Sequence, residues 1–118
     1  MPEQVRVDEE AGPIEVRSFG RVSAEDIEGS IAEVGRLCAE TGITHVLVDG
    51  TETETMPSVT GTYRAASGFP RGIRIAVLLS ATQPAAAYMR FGETVAQNRG
   101  VAIKLFRSRD AALAWLRG

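Results

Sequence analysis

Cysteine, histidine, tryptophan and lysine each occur once in 118 residues, and aromatic residues make up only 6% of the chain. The single thiol, Cys38, has no partner for an internal disulfide, so a reducing cytoplasm is the default compartment. The single imidazole, His45, reads as structural or partly exposed, and Asp49 has no second His, Asp or Glu at a ligand-like spacing, so no metal site is expected. The most apolar run, "IAVLLSA" (Ile75–Ala81), falls far short of the roughly 20 residues a membrane span requires. Met1 is followed by Pro2, Glu3 and Gln4, without the basic and apolar regions of a signal peptide. No Gly-rich phosphate cradle follows "GIRIAVLLS", and "GVAIK" stands without the other parts of a kinase set. The sparse aromatics are not interleaved with basic residues as stacking platforms would be, which argues against nucleic acid.

What is present is a chain of ordinary globular composition, 44% hydrophobic and 24% charged. Its length suits one domain, residues 1–118, burying roughly two-thirds of its unfolded surface. The net charge of −2 conceals an asymmetry. Residues 1–59 carry 13 acids against 4 arginines, and residues 60–118 carry 2 acids against 8 arginines and one lysine. Either the two halves face each other, within the fold or across a homodimer, or the second half offers a basic face to an acidic partner or small anion.

The order of elements follows from period and punctuation. "QVRVD" (Gln4–Asp8) and "IEVRSF" (Ile14–Phe19) alternate and flank the turn "EEAGP", which reads as an antiparallel hairpin. Ser23 and Asp26 form a capping-box pattern ahead of a helix whose apolar face runs through Ile27, Ile31, Val34, Leu37 and Cys38 and stops at Gly42. "ITHVLVD" (Ile43–Asp49) reads as a strand, "SVTGTYRAASGF" (Ser58–Phe69) as a short weak helix, and "GIRIAVLLS" (Gly72–Ser80) as a strand covered on both faces. A helix opens at Thr82 and stops at Gly100, "VAIKLF" (Val101–Phe106) is the last strand, and Ser108 caps a closing helix packed through Ala112, Leu113, Trp115 and Leu116. The order ββαβαβαβα is that of an α/β protein with a mostly parallel sheet and an N-terminal antiparallel hairpin.

Such sheets bind ligands beyond the carboxyl ends of their strands. Asp49, Gly50, Thr51, Ser80, Thr82, Arg107 and Ser108 fall there, and Ser58, Thr82 and Ser108 open helices whose free N–H groups favour anions. Each serine or threonine has a simpler use as an N-cap, and Asp49 one as a turn former accepting N–H bonds from Gly50 to Thr53. His45 lies at the opposite end of its strand, so a Ser-His pairing with Ser58 or Ser80 is geometrically poor. Cys38 lies on an apolar stripe with no cation to activate it and reads as a packed, inert thiol. No catalytic constellation is visible, and no cofactor is implied.

"VLVDG", "IRIAVLLS", "RFGETVAQNRGVAIKLF" and "RDAALAWL", in this order and spacing over residues 14–117, resemble the SpoIIAA-like domains of the STAS class, the bacterial anti-sigma-factor antagonists, in their stand-alone branch. The resemblance implies a sheet wound as a βα superhelix, an arrangement shared with CRAL-TRIO lipid-binding domains. In the antagonists a phosphorylatable serine opens the helix after the central strand, within Asp-Ser-Ser-Gly. The matching stretch here is "MPSVTG", with Ser58 as the nearest equivalent and candidate phosphosite, Pro57 in place of the Asp, Val59 in place of the second Ser, and Thr60 inserted before Gly61. The expectation is a non-enzymatic cytoplasmic module that binds a protein partner or small ligand between Asp49 and Ser58. The alternative is a carrier of a small ligand or lipid headgroup, with an apolar cavity beneath residues 58–69 flanked by Arg64, Arg71 and Arg74.

Overall fold

Strand-forming and helix-forming segments alternate in the computed structural model, which describes residues 3–7, 12–21, 23–55, 72–80 and 102–118. The two central helices expected at Ser58–Phe69 and from Thr82 to Gly100 lie outside these residues. Strands β1 (Glu3–Val7) and β2 (Ile14–Arg21) form the antiparallel hairpin, with Val5 opposite Val16 and Arg6 opposite Glu15. Helix α1 (Ala24–Thr41) starts as its sequence indicates. The Ser23 hydroxyl accepts from the Asp26 N–H at 3.1 Å, and the Asp26 carboxylate accepts from the Ser23 N–H at 2.9 Å. It ends at Gly42, whose φ of +74° suits a residue without a Cβ and lets its N–H reach the Cys38 carbonyl.

Strand β3 (His45–Thr55) is longer than its apolar run. Asp49 does not end it; the polar stretch Gly50–Thr55 continues the strand as a partner of β2. Alternating Thr and Glu, with β-branched residues at every second position, suit an extended chain whose neighbour is present on one side only. Strands β4 (Arg74–Leu78) and β5 (Ala102–Phe106) complete the sheet, and helix α2 (Arg109–Arg117) closes the described chain. The sheet order is β1-β2-β3-β4-β5, antiparallel in its first pair and parallel thereafter. Among the described residues no helix is long and apolar enough to cross a membrane.

The period of two sorts side chains onto two faces. One face gathers Ile14, Val16, Val46, Ile75 and Val77 with Ile31 and Val34 of α1, and Leu37 and Cys38 pack at its margin. The other gathers Leu47, Ala76 and Leu78 beneath Ala112 and Leu116 of α2, with Phe106, Leu113 and Trp115 around them. Strand β4 is buried on both faces, as its unbroken apolar run requires. Helix α1 lies against β1 and β2, while α2 lies mainly over β4 on the reverse side. A nine-residue helix is marginal alone, so α2 depends on this docking. Its Arg74–Trp115 contact, guanidinium 4.6 Å from the ring centre, adds a cation–π interaction at the far end of β4.

Candidate functional site at the carboxyl end of the sheet

Asp49 is the last β3 residue flanked on both sides, by Arg17 of β2 and Leu78 of β4. Beyond it β4 stops, and among the described residues β3 continues against β2 alone. The register then slips: Arg17 faces Asp49 but Phe19 faces Glu52, so β3 carries one extra residue there. A second slip follows where Gly20 faces Thr53 and Arg21 faces Thr55. Gly20 has φ of +66°, a conformation open to glycine at little cost. These bulges bend the end of β3 and re-aim its side chains.

The first bulge is organised by Asp49. One carboxylate oxygen, Oδ1, accepts from the Thr51 N–H at 3.0 Å and from the Thr51 hydroxyl at 2.6 Å. The other, Oδ2, faces Arg109 Nη1 at 3.8 Å. The local turn-forming role expected of Asp49 is therefore present, inside a strand rather than after one. Oδ1 thus holds the bulge in shape while Oδ2 faces Arg109, which suits Asp49 to positioning. His45 begins the same strand four residues earlier, roughly 13 Å away at strand rise, and cannot join it.

The neighbouring junctions meet the same rim. Ser108 caps α2, its hydroxyl accepting from the Ala111 N–H at 3.4 Å, and the next residue, Arg109, reaches Asp49. Ser80 offers its carbonyl to Arg107, and the Leu79 N–H bonds the Phe106 carbonyl at 2.9 Å, tying the ends of β4 and β5 together. Asp49, Thr51, Ser80 and Ser108 thus share one border of the sheet. Ser58 and Thr82 lie outside the described residues, as does the cavity expected beneath residues 58–69.

Residues that sequence reasoning passed over complete the site. Glu15 has only 5% of its side chain exposed, yet it carries a carboxylate held by Arg109 at 3.0 Å and approached by Arg6 at 3.6 Å. Burial of a charge is tolerable only with such partners. Arg17 bonds Glu52 at 2.8 Å and lies over the Phe19 ring. Arg109 therefore joins β2, β3 and α2 through Glu15 and Asp49. In the sequence, the alternation of "IEVR" places Glu15 and Arg17 on one face, but no signal names Arg109, 94 residues later, as the partner.

Among the described residues no group of three or more His, Cys, Asp or Glu could hold a metal. A shallow groove of about 330 Å³ lies at the opposite end of the sheet, between Gly12, Pro13 and His45 on one side and Leu113, Leu116 and Arg117 on the other. It shares no residue with the rim.

No protein-family model matches the chain. No curated protein sequence matches it either. Solved structures do. The chain is similar to an uncharacterized protein of the DUF3478 family with a SpoIIAA-like fold from Shewanella loihica PV-4, at 17% identity and a TM-score of 0.56 over 97% of this chain and 91% of that one. It is similar to the Bacillus cell fate determinant SpoIIAA in its phosphorylated form, at 12% identity and a TM-score of 0.59 over 98% and 99% of the two chains. The unphosphorylated form of the anti-sigma factor antagonist SpoIIAA matches at 15% identity and a TM-score of 0.55, with 98% of each chain covered. With its antiparallel first pair, three parallel additions and these matches along nearly the whole chain, the protein has the SpoIIAA-like fold.

Proposed function

We propose that the protein is a non-enzymatic regulatory module of STAS-like type, which engages a protein partner through the segment from Asp49 to Ser58. The observation that carries this reading is the Asp49 arrangement. A carboxylate at the sheet's carboxyl border binds Thr51 and holds a bulged strand end in shape, with Glu52 exposed beside it. Rigid display of a polar loop is what recognition requires, whereas catalysis would need a group left available for proton or acyl transfer. The fold supports the same direction, since one matching structure is described as an anti-sigma factor antagonist and another as a phosphorylated cell fate determinant. In its most specific form the reading makes Ser58 a phosphate-controlled switch. A phosphate there would be opposed by the acids Glu52 and Glu54, and favoured by the helix that the sequence from Ser58 to Phe69 indicates.

The test is capture of partners from the native host by wild type, Ser58→Asp, Ser58→Ala and the double variant Asp49→Asn/Thr51→Val. Loss of a captured protein with Ser58→Asp but not Ser58→Ala is expected. Identical capture by all four proteins would end the reading. Loss only in the double variant would keep the rim as the contact and remove the phosphate switch.

A further inference from the structure

We propose that the half of the second sheet face left uncovered by α2 docks an acidic, extended segment of a protein partner, with Arg6, Arg17 and Arg109 as the contacts. The proposal shares Asp49 and Glu52 with the reading above, but its contacts are the three arginines, so their variants test it separately from Ser58. It begins from a difference in depth. The three arginines expose 72%, 48% and 41% of their side chains, whereas Glu15 and Asp49 beneath them expose 5% and 19%. With Glu52, whose exposed carboxylate pairs with Arg17, the formal charges cancel, but Glu15 and Asp49 lie inward and leave Arg6 and Arg109 outward of their acids. A potential partner therefore meets cations held in place from below.

The patch is also unsaturated in donors. Among the described residues Arg6 meets Glu15 alone, at 3.6 Å and beyond hydrogen-bond distance, while Arg109 already bonds that carboxylate at 3.0 Å. A guanidinium has five N–H donors in a planar fork suited to carboxylates. Arg17 shows the interaction already made once: its Nη2 bonds the Glu52 carboxylate, the one exposed acid these arginines touch.

The spacing selects the form of the ligand. Arg6 stands opposite Glu15, and Arg17 lies two residues farther along β2 on the same face, which puts Arg6 and Arg17 on a diagonal. Diagonal same-face neighbours lie about 7–8 Å apart. Alternate residues of an extended peptide lie about 6.5–7 Å apart, so carboxylates at every second position match the pair. The Phe19 ring beneath Arg17 limits its range of orientations.

The probe is a fluorescein-labelled peptide of sequence Glu-Thr-Glu-Thr-Glu, measured by anisotropy at low salt. Arg6→Gln combined with Arg17→Gln should weaken its binding about tenfold, the combined worth of two exposed charge pairs. Arg36→Gln, on α1 across the molecule, should leave it unchanged. A block peptide with the same charge, Glu-Glu-Glu-Thr-Thr, should bind less tightly than the alternating one. Matched melting temperatures establish that the variants are folded. If the double variant melts early, Arg6→Lys/Arg17→Lys replaces it and should give an intermediate loss, because the charge remains and the fork is removed. Equal binding by wild type and the double variant, no binding by wild type, or capture of phosphatidylserine vesicles without capture of the peptide would each overturn the proposal.

Discussion

The two faces of the sheet are built on different physics. Among the described residues, nine buried apolar side chains on the first join three strands of the sheet to α1. On the second, five join the strands to α2, and beside them a buried carboxylate lies beneath arginines. Hydrophobic burial is non-directional and fixes how firmly elements associate. An ion pair from buried Glu15 to the first turn of α2 is directional, and it ties that turn to β2 beside the Ser108 cap. The difference separates a face closed by apolar burial from one that also keeps arginines at the surface.

The largest effects that could break this contrast come from truncations at its two centres. Ile75→Ala on the first face should destabilise by about 3–5 kcal/mol, since Ile75 is fully buried among packed neighbours. Leu47→Ala on the second should cost less, about 2–3 kcal/mol, because a nine-residue helix can resettle into the space. Urea unfolding measures both, and a larger loss for Leu47→Ala would reverse the ranking of the faces. Arg109→Ala should follow at about 2 kcal/mol. It removes the nearer partner of buried Glu15 and leaves only the longer Arg6 contact. If the charged half of the face carries no structural load, Arg109→Ala will melt with wild type.

The same contrast explains what could be read in advance. The first face was legible because its signals are local: Ser23, Asp26, the stripe through Ile31, Val34, Leu37 and Cys38, and Gly42 all lie within one helix and its caps. The cap of α2 was legible for the same reason. Its side of the sheet was not. Handedness constrains a helix that crosses between parallel strands, and α2 follows the last described strand without returning to the sheet. Its landing on the second face is what buries Glu15, which in "IEVRSF" looks like an outward-facing strand residue. The continuation of β3 was misread because "TETET" carries loop composition, although its threonines at every second position suit a strand. Asp49, Thr51, Ser80 and Ser108 were placed at one border by the parallel order alone, but the arginines joining them come from charges whose partners are distant in sequence.

Smaller predictions sharpen the comparison at the helix starts. Ser23→Ala removes the hydroxyl that accepts from the Asp26 N–H at 3.1 Å, leaves half of a reciprocal capping box, and should cost about 1 kcal/mol. Ser108→Ala removes one bond of 3.4 Å and should cost about half as much, near 0.5 kcal/mol. A loss at Ser108 equal to that at Ser23 would mean that the second face depends on the cap as well as on Arg109. The smallest effect concerns Cys38, at the margin of the first face. Burial raises its thiol pKa above the usual value, so the folded chain retains the proton at a pH where the unfolded chain has released it. Stability contributed at this position is complete below the ordinary thiol range and declines as pH rises through it, because the unfolded state then binds fewer protons than the folded one. Iodoacetamide at pH 8 should accordingly modify the native thiol more slowly than the same thiol in urea. Equal rates would show that α1 does not shield Cys38, and that the apolar face ends short of it.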